Sequence, residues 1–181
     1  EIGSPGSNAF ITQLGAEYDA VLSFEGGGSA TAQGSDMVRL ATSSIAIVEM
    51  KITGKASHAG GNPEGGRNAL YEMAHQIMKS RNFGDAAAGL KINWTIASAG
   101  ETRNVIPASA SAIADVRSLS NADLDRMEAA LRESIKDKLI PDTTIDLTFY
   151  RSRPAFEANA VSRTLAQHAM KVYGEIGKKL D

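Results

Sequence analysis

The sequence predicts an α+β sandwich: a four-stranded antiparallel sheet with two helices on one face. Three observations lead there. Between residues 43 and 150, apolar side chains recur at every second position in separate stretches, the period of a half-buried strand. Two other stretches space their apolar residues three and four apart, the period of an amphipathic helix. The stretches follow each other as β-α-β-β-α-β, an order that gives an antiparallel sheet with both helices on its apolar side.

Residues 1–7 are punctuated by Gly, Ser and Pro and read as a loop. Phe10, Ile11 and Leu14 give residues 8–16 the single apolar face of a short helix. Residues 19–24, Asp-Ala-Val-Leu-Ser-Phe, form a short apolar run expected to be a buried strand. Glu25 ends that run and three glycines follow it. A carboxylate there fits either a ligand group at a strand end or a solvated terminus.

From Ser43 onward Ala46, Val48, Met50 and Ile52 alternate with Ile47, Glu49 and Lys51, a strand with one strongly apolar face. Leu70, Met73, Ala74, Ile77 and Met78 mark the next helix, with Glu72, Gln76 and Lys79 off the stripe and His75 at its surface. Leu90, Ile92, Trp94 and Ile96 alternate as a second strand. A third places Ala110, Ala112, Ala114 and Val116 on one side, small enough for a helix to lie close. Ser120 and Asn121 cap a helix whose stripe runs from Leu124 to Leu139, with Pro141 as the stop. Ile145, Leu147 and Phe149 form the last strand. Val161, Leu165, Ala169 and Val172 carry a final helix. The central stretch is thus a ferredoxin-like α+β sandwich.

Composition narrows the classes of function. At 181 residues the chain holds one domain, or one domain with pieces of another. A net charge of -2 and the lack of a basic run give no reason to expect a nucleic acid partner. No apolar run approaches the ~20 residues of a membrane-spanning helix, so no membrane partner is expected either. Cysteine is absent, which excludes disulfides and thiolate metal sites. Histidine is limited to His58, His75 and His168.

One of these stands out. His58 lies in Ala56-Ser57-His58-Ala59-Gly60-Gly61, between a strand and a helix, among side chains too small to cover it. An uncovered imidazole on such a loop reads as a ligand-contacting group or as a connection whose His faces water.

Five motifs occur in one order: Glu1-Ile2-Gly3-Ser4-Pro5-Gly6-Ser7, Ser23-Phe24-Glu25, Ile52-Thr53-Gly54-Lys55-Ala56-Ser57-His58-Ala59-Gly60, Arg103-Asn104-Val105-Ile106-Pro107 and Arg153-Pro154-Ala155-Phe156. With the strand Asn93-Trp94-Thr95-Ile96-Ala97, they resemble the M20 metallopeptidases, glutamate carboxypeptidases above all. The whole chain resembles a central piece of such an enzyme. The resemblance implies that residues 1–42 and 155–181 are parts of a zinc-binding catalytic domain, and that 43–154 are its lid or dimerisation domain, which pairs in a homodimer.

It also implies roles. Glu1 and Glu25 correspond to ligands of two zinc (Zn) ions. His58 corresponds to the lid histidine that reaches the partner's active site and steadies the scissile carbonyl. Asn104 and Arg153 correspond to residues that hold the substrate's terminal carboxylate, a task suited to the planar guanidinium. Arg153 aligns better than Arg151, which is expected on the solvated side of its strand. The implied reaction is release of a C-terminal amino acid, glutamate above all, from a small peptide or N-acyl amino acid of folate-like type.

The family's two zinc-binding histidines, its bridging Asp and its general base have no counterpart here, so this polypeptide alone is expected to be inactive. Gly26 stands where Pro is common, which leaves the pose of Glu25 open. Acetylornithine or succinyl-diaminopimelate deacylases and aminoacylases stay open within the family. So does a stand-alone dimerisation or ligand-binding module. The resemblance points to the periplasm, with the cytoplasm an alternative.

Overall fold

The computed structural model describes residues 6–22 and 36–180. The chain divides into two compact units, Glu1–Leu40 with Ala158–Asp181, and Ala41–Glu157. The second unit carries β1 (Ile45–Thr53), α2 (Ala69–Ser80), β2 (Lys91–Ala99), β3 (Ser109–Arg117), α3 (Asn121–Ser134) and β4 (Thr144–Arg153). The first carries α1 (Asn8–Gly15) and α4 (Ala160–Glu175).

The four strands form one sheet in the order β2-β3-β1-β4, and every neighbouring pair is antiparallel. This is the α+β sandwich that the alternation predicts. Ala46, Val48, Met50 and Ile52 of β1, with Ala110, Ala112, Ala114 and Val116 of β3, are buried. Leu124, Met127 and Leu131 of α3 pack on the half of the sheet around Ala46 and Val48. Ala69 and Met73 of α2 pack on the half around Met50 and Ile52. Each fully buried aliphatic side chain contributes about 1.5–3 kcal/mol, and the alanines of β3 let α2 come close.

Several expectations are corrected. Ile96 does not share a face with Trp94. Trp94 lies opposite Ala114 and Ile96 opposite Ile113, so Thr95 is the extra residue of a β-bulge. A one-residue slip moves every later side chain to the other face, and Ile96 is 60% exposed. The buried face of α2 is also rotated. Glu72 and Gln76 are buried, while Leu70, Tyr71, Ala74 and Met78 are exposed.

The polar pair is buried because it serves the end of α3. Gln76 Nε2 donates to Asp137 O at 2.9 Å, and Lys79 Nζ donates to Ser134 O at 2.7 Å. Glu72 accepts from the Ile140 amide at 2.6 Å and from Gln76 Nε2 at 2.7 Å. Carbonyls at a helix end need such partners. With them in place α3 stops at Ser134, well before Pro141, and Leu139 is exposed. His75 is half-buried rather than a surface residue, and its Nε2 is buried with no hydrogen bond among the described residues.

At the other end of α3, Ser120 is the cap residue but its side chain makes no capping bond. Glu157 accepts the Asn121 amide at 2.7 Å instead. In the first unit, residues 19–22 are not a strand, and Val21 and Leu22 are 63% and 64% exposed. Among the described residues no strand pairs with them, and a lone strand is not stable. α4 forms as expected, yet Val161 and Val172 of its stripe are exposed.

Arg151 lies on the helix-facing side of β4, not the solvated side expected for it. It pairs with Ala46, whose side chain faces the helices, and Arg153 pairs with Ile45 across a second irregularity. Arg151 reaches Glu128 Oε2 of α3 at 2.6 Å and lies 5.6 Å from the centroid of the Phe149 ring. Arg132 donates to the other oxygen of Glu128 at 2.8 Å. Burial works against the Glu128 charge, but the bonds from Arg151 and Arg132 outweigh it and hold the carboxyl below the ordinary glutamate value.

A carboxyl lowered in the folded state stabilises above its unfolded pKa, and this is lost as pH falls through the folded value. Glu128→Gln should therefore lower the urea midpoint at neutral pH. The gap from the parent protein should close as pH falls below the ordinary glutamate range and through the lowered folded-state value, as read from urea titrations across pH.

Candidate functional site

The ladder between β1 and β3 continues past the sheet. The Gly54 amide donates to Ala108 O at 2.7 Å, the Ile106 amide to Ser57 O at 2.8 Å, and the Ala59 amide to Asn104 O at 2.9 Å. His58 forms an antiparallel bridge with Val105. Two connections distant in sequence, 54–59 and 104–108, are thereby held as one extended arm.

Lys55 and Arg67 exchange backbone bonds of 2.9 and 2.8 Å on the other side of the arm. A Cβ on Gly54 would stand 2.0 Å from the Arg67 carbonyl oxygen, so only glycine fits. The Arg67 side chain donates to Gly66 O at 2.8 Å and pairs with Asp142 at 2.8 Å. This ties the arm to the connection between α3 and β4.

His58 is exposed at the arm's tip. Its Nδ1 accepts from the Gly61 amide at 2.9 Å and from the Gly60 amide at 3.2 Å. The Asn62 amide returns to His58 O at 3.0 Å, and Ser57 Oγ donates to Asn62 O. The two glycine amides are site groups that residue-type reasoning missed. The signal for them is the spacing: glycines two and three positions after a histidine can turn their N–H groups back onto its ring.

Asn104 is exposed beside His58, joined through the Ala59–Asn104 backbone bond. A groove of about 590 Å³ adjoins the arm, lined by Thr53, Ser98, Ser109 and Ser111 of the sheet's open face and by Val105 of the arm.

Arg153 lies elsewhere. It pairs with Ile45 at the start of β1, whereas His58 lies beyond Thr53 at its end. At ~3.3 Å per residue the strand alone separates the two ends by roughly 26 Å. Arg153 is half-buried; its Nη2 donates to Ser43 O at 3.0 Å, and its Nε is buried with no partner among the described residues. The structure thus brings His58 and Asn104 together and sets Arg153 apart. Glu1 and Glu25 lie outside the described residues. Among the described residues no three His, Asp or Glu side chains gather as metal ligands, so those residues do not by themselves fit a zinc centre.

A β-α-β-β-α-β sandwich with an extended arm at one end is a small α+β domain. Residues 40–143 match the family model described as the M20 peptidase dimerisation domain, and the chain belongs to that family.

Carboxypeptidase G2 of Pseudomonas sp. (strain RS-16) is 42% identical over 180 residues, covering 99% of this chain and 42% of that protein. The indole-3-acetyl-aspartic acid hydrolase of Enterobacter agglomerans is 42% identical over 59 residues, covering 32% of this chain and 14% of the relative. The chain thus spans less than half the length of these curated relatives. Among solved structures, the aminopeptidase PepT of Bacillus cereus superposes with a TM-score of 0.70 at 23% identity, over 82% of this chain and 40% of that one. That likeness shows the fold.

Gly54→Ala should cost about 3 kcal/mol, because the carbonyl it strikes is backbone that cannot move aside. Gly15→Ala, with nothing within 4 Å of the new methyl, should leave the denaturation midpoint within about 0.5 kcal/mol of the parent. Chemical denaturation of the two variants side by side checks both.

Proposed function

We propose that this chain is the dimerisation part, with flanking catalytic-domain segments, of a zinc-dependent carboxypeptidase or amidohydrolase. The intact protein would release a C-terminal amino acid, glutamate by resemblance, from small peptide or N-acyl substrates. The compact unit Ala41–Glu157 supports residues 43–154 as the lid. Exposed Val21, Leu22, Val161 and Ile176 in the other unit are apolar surface suited to further packing. The zinc centre enters this reading through the resemblance alone, with Glu1 and Glu25 as its assigned ligands.

The observation that carries the reading is the separation of His58 from Arg153. A small substrate a few bond lengths long cannot touch both ends of β1. It can do so when His58 and Asn104 come from one copy and Arg153 from its partner. In that arrangement the imidazole N–H meets the carbonyl oxygen as negative charge develops. The Asn104 amide and the Arg153 guanidinium hold the terminal carboxylate. Pairing would use α2, which exposes Leu70, Tyr71, Ala74 and Met78 along one stripe.

Two measurements on the full-length protein test this. Release of glutamate from an N-acyl-glutamate should stop on chelation, and His58→Ala should lower kcat by about 10²–10³. Activity indifferent to both would overturn the catalytic reading and leave a plain assembly module. Met78→Glu should convert a dimer to monomer in sedimentation velocity while circular dichroism is unchanged. A parent protein that is monomeric at high concentration would overturn the pairing.

A further inference from the structure

We propose that the Gly60 and Gly61 amides lock His58 in its Nε2–H form, making it a hydrogen-bond donor and neither a metal ligand nor a general base. This rests on the proposed function for its catalytic meaning and on geometry alone for the tautomer. A neutral imidazole has one nitrogen that carries hydrogen and one that carries a lone pair. Two backbone N–H groups point at Nδ1, at 2.9 and 3.2 Å. They can be satisfied only by a lone pair, so the proton sits on Nε2.

The contrast with a metal-binding histidine is direct. A ligating ring gives its second N–H to a carbonyl or carboxylate, which frees the other nitrogen's lone pair for the metal. Here the second nitrogen faces donors. Binding a metal or taking a proton at Nε2 would place hydrogen on Nδ1 or require the ring to leave both amides. A developing oxyanion, in contrast, needs what Nε2–H offers.

The loop is shaped to this end. A Cβ on Gly61 would lie 3.2 Å from Nδ1 and 3.6 Å from Cγ of the ring, so the missing side chain lets the amide approach. The Asn62 amide bond to His58 O and the Ser57 hydroxyl bond to Asn62 O close the turn that aims both N–H groups. Gly60 and Gly61 are positioning residues: they touch the imidazole and not the substrate.

The test is ring ¹⁵N spectroscopy of histidine-labelled full-length protein, with His58→Ala to assign the signals. The neutral ring should show an unprotonated Nδ1 and a protonated Nε2. A populated Nδ1–H form overturns the inference. Gly61→Pro deletes the nearer amide and should raise the Nδ1–H fraction and lower kcat; the parent spectrum decides if that variant does not fold.

Glutamine can place an N–H near the position of Nε2. His58→Gln should therefore recover at least about tenfold in kcat over His58→Ala, and equal loss in both overturns donation as the role. The two readings fail separately. An Nδ1–H ring with activity lost in His58→Ala ends this inference and spares the proposed function. An Nε2–H ring with activity indifferent both to chelation and to His58→Ala does the reverse.

Discussion

The structure depends on the pairing of β1 with β3, and on that pairing not stopping where the sheet does. Inside the sheet the two strands turn Ala46, Val48, Met50 and Ile52 and the small residues of β3 toward the helices. Past Thr53 the same antiparallel contact runs on through Gly54–Ala108, Ser57–Ile106 and Ala59–Asn104. The core and the arm are one ladder with two environments. Over the core one face of the ladder is buried; beyond it the backbone bonds persist while His58, Ala59, Asn104 and Val105 are exposed and Ile106 alone stays buried. An exposed loop of small residues gains a defined path in this way.

The alternation in the sequence reveals the sheet and its inner face, because one face of each central strand is buried and period two follows from that. It does not reveal the bulge at Thr95, since Lys91-Ile92-Asn93-Trp94-Thr95-Ile96 alternates without a break. Helical spacing locates α2 but not its orientation. Two apolar stripes compete on that helix, and the polar Glu72 and Gln76 win the interior because the end of α3 requires their hydrogen bonds. Pro141 is a misleading stop: α3 ends where Lys79 and Gln76 take up the carbonyls of Ser134 and Asp137. The apolar run at 19–22 shows the opposite failure, a strand pattern without a neighbour to pair with among the described residues.

The candidate site was partly visible. His58 could be singled out from its small neighbours, and Asn104 and Arg153 from the motifs that contain them. Their spatial relation could not. His58 and Asn104 meet through backbone bonds between distant connections, and Arg153 is carried away by the length of β1. The glycines after His58 suggest conformational freedom when read as a sequence. In the structure what they contribute is two aimed N–H groups and an absence of bulk beside a ring.

The separation of the two ends of β1 has a genetic consequence if pairing occurs as proposed. Each assembly would own two workplaces, and every workplace would borrow from both polypeptides. Co-expressing one allele damaged at His58 with another damaged at Arg153 would yield mixed assemblies in which one workplace is doubly broken and the other wholly intact. Neither allele could achieve that by itself, so two dead genes could together make a live enzyme.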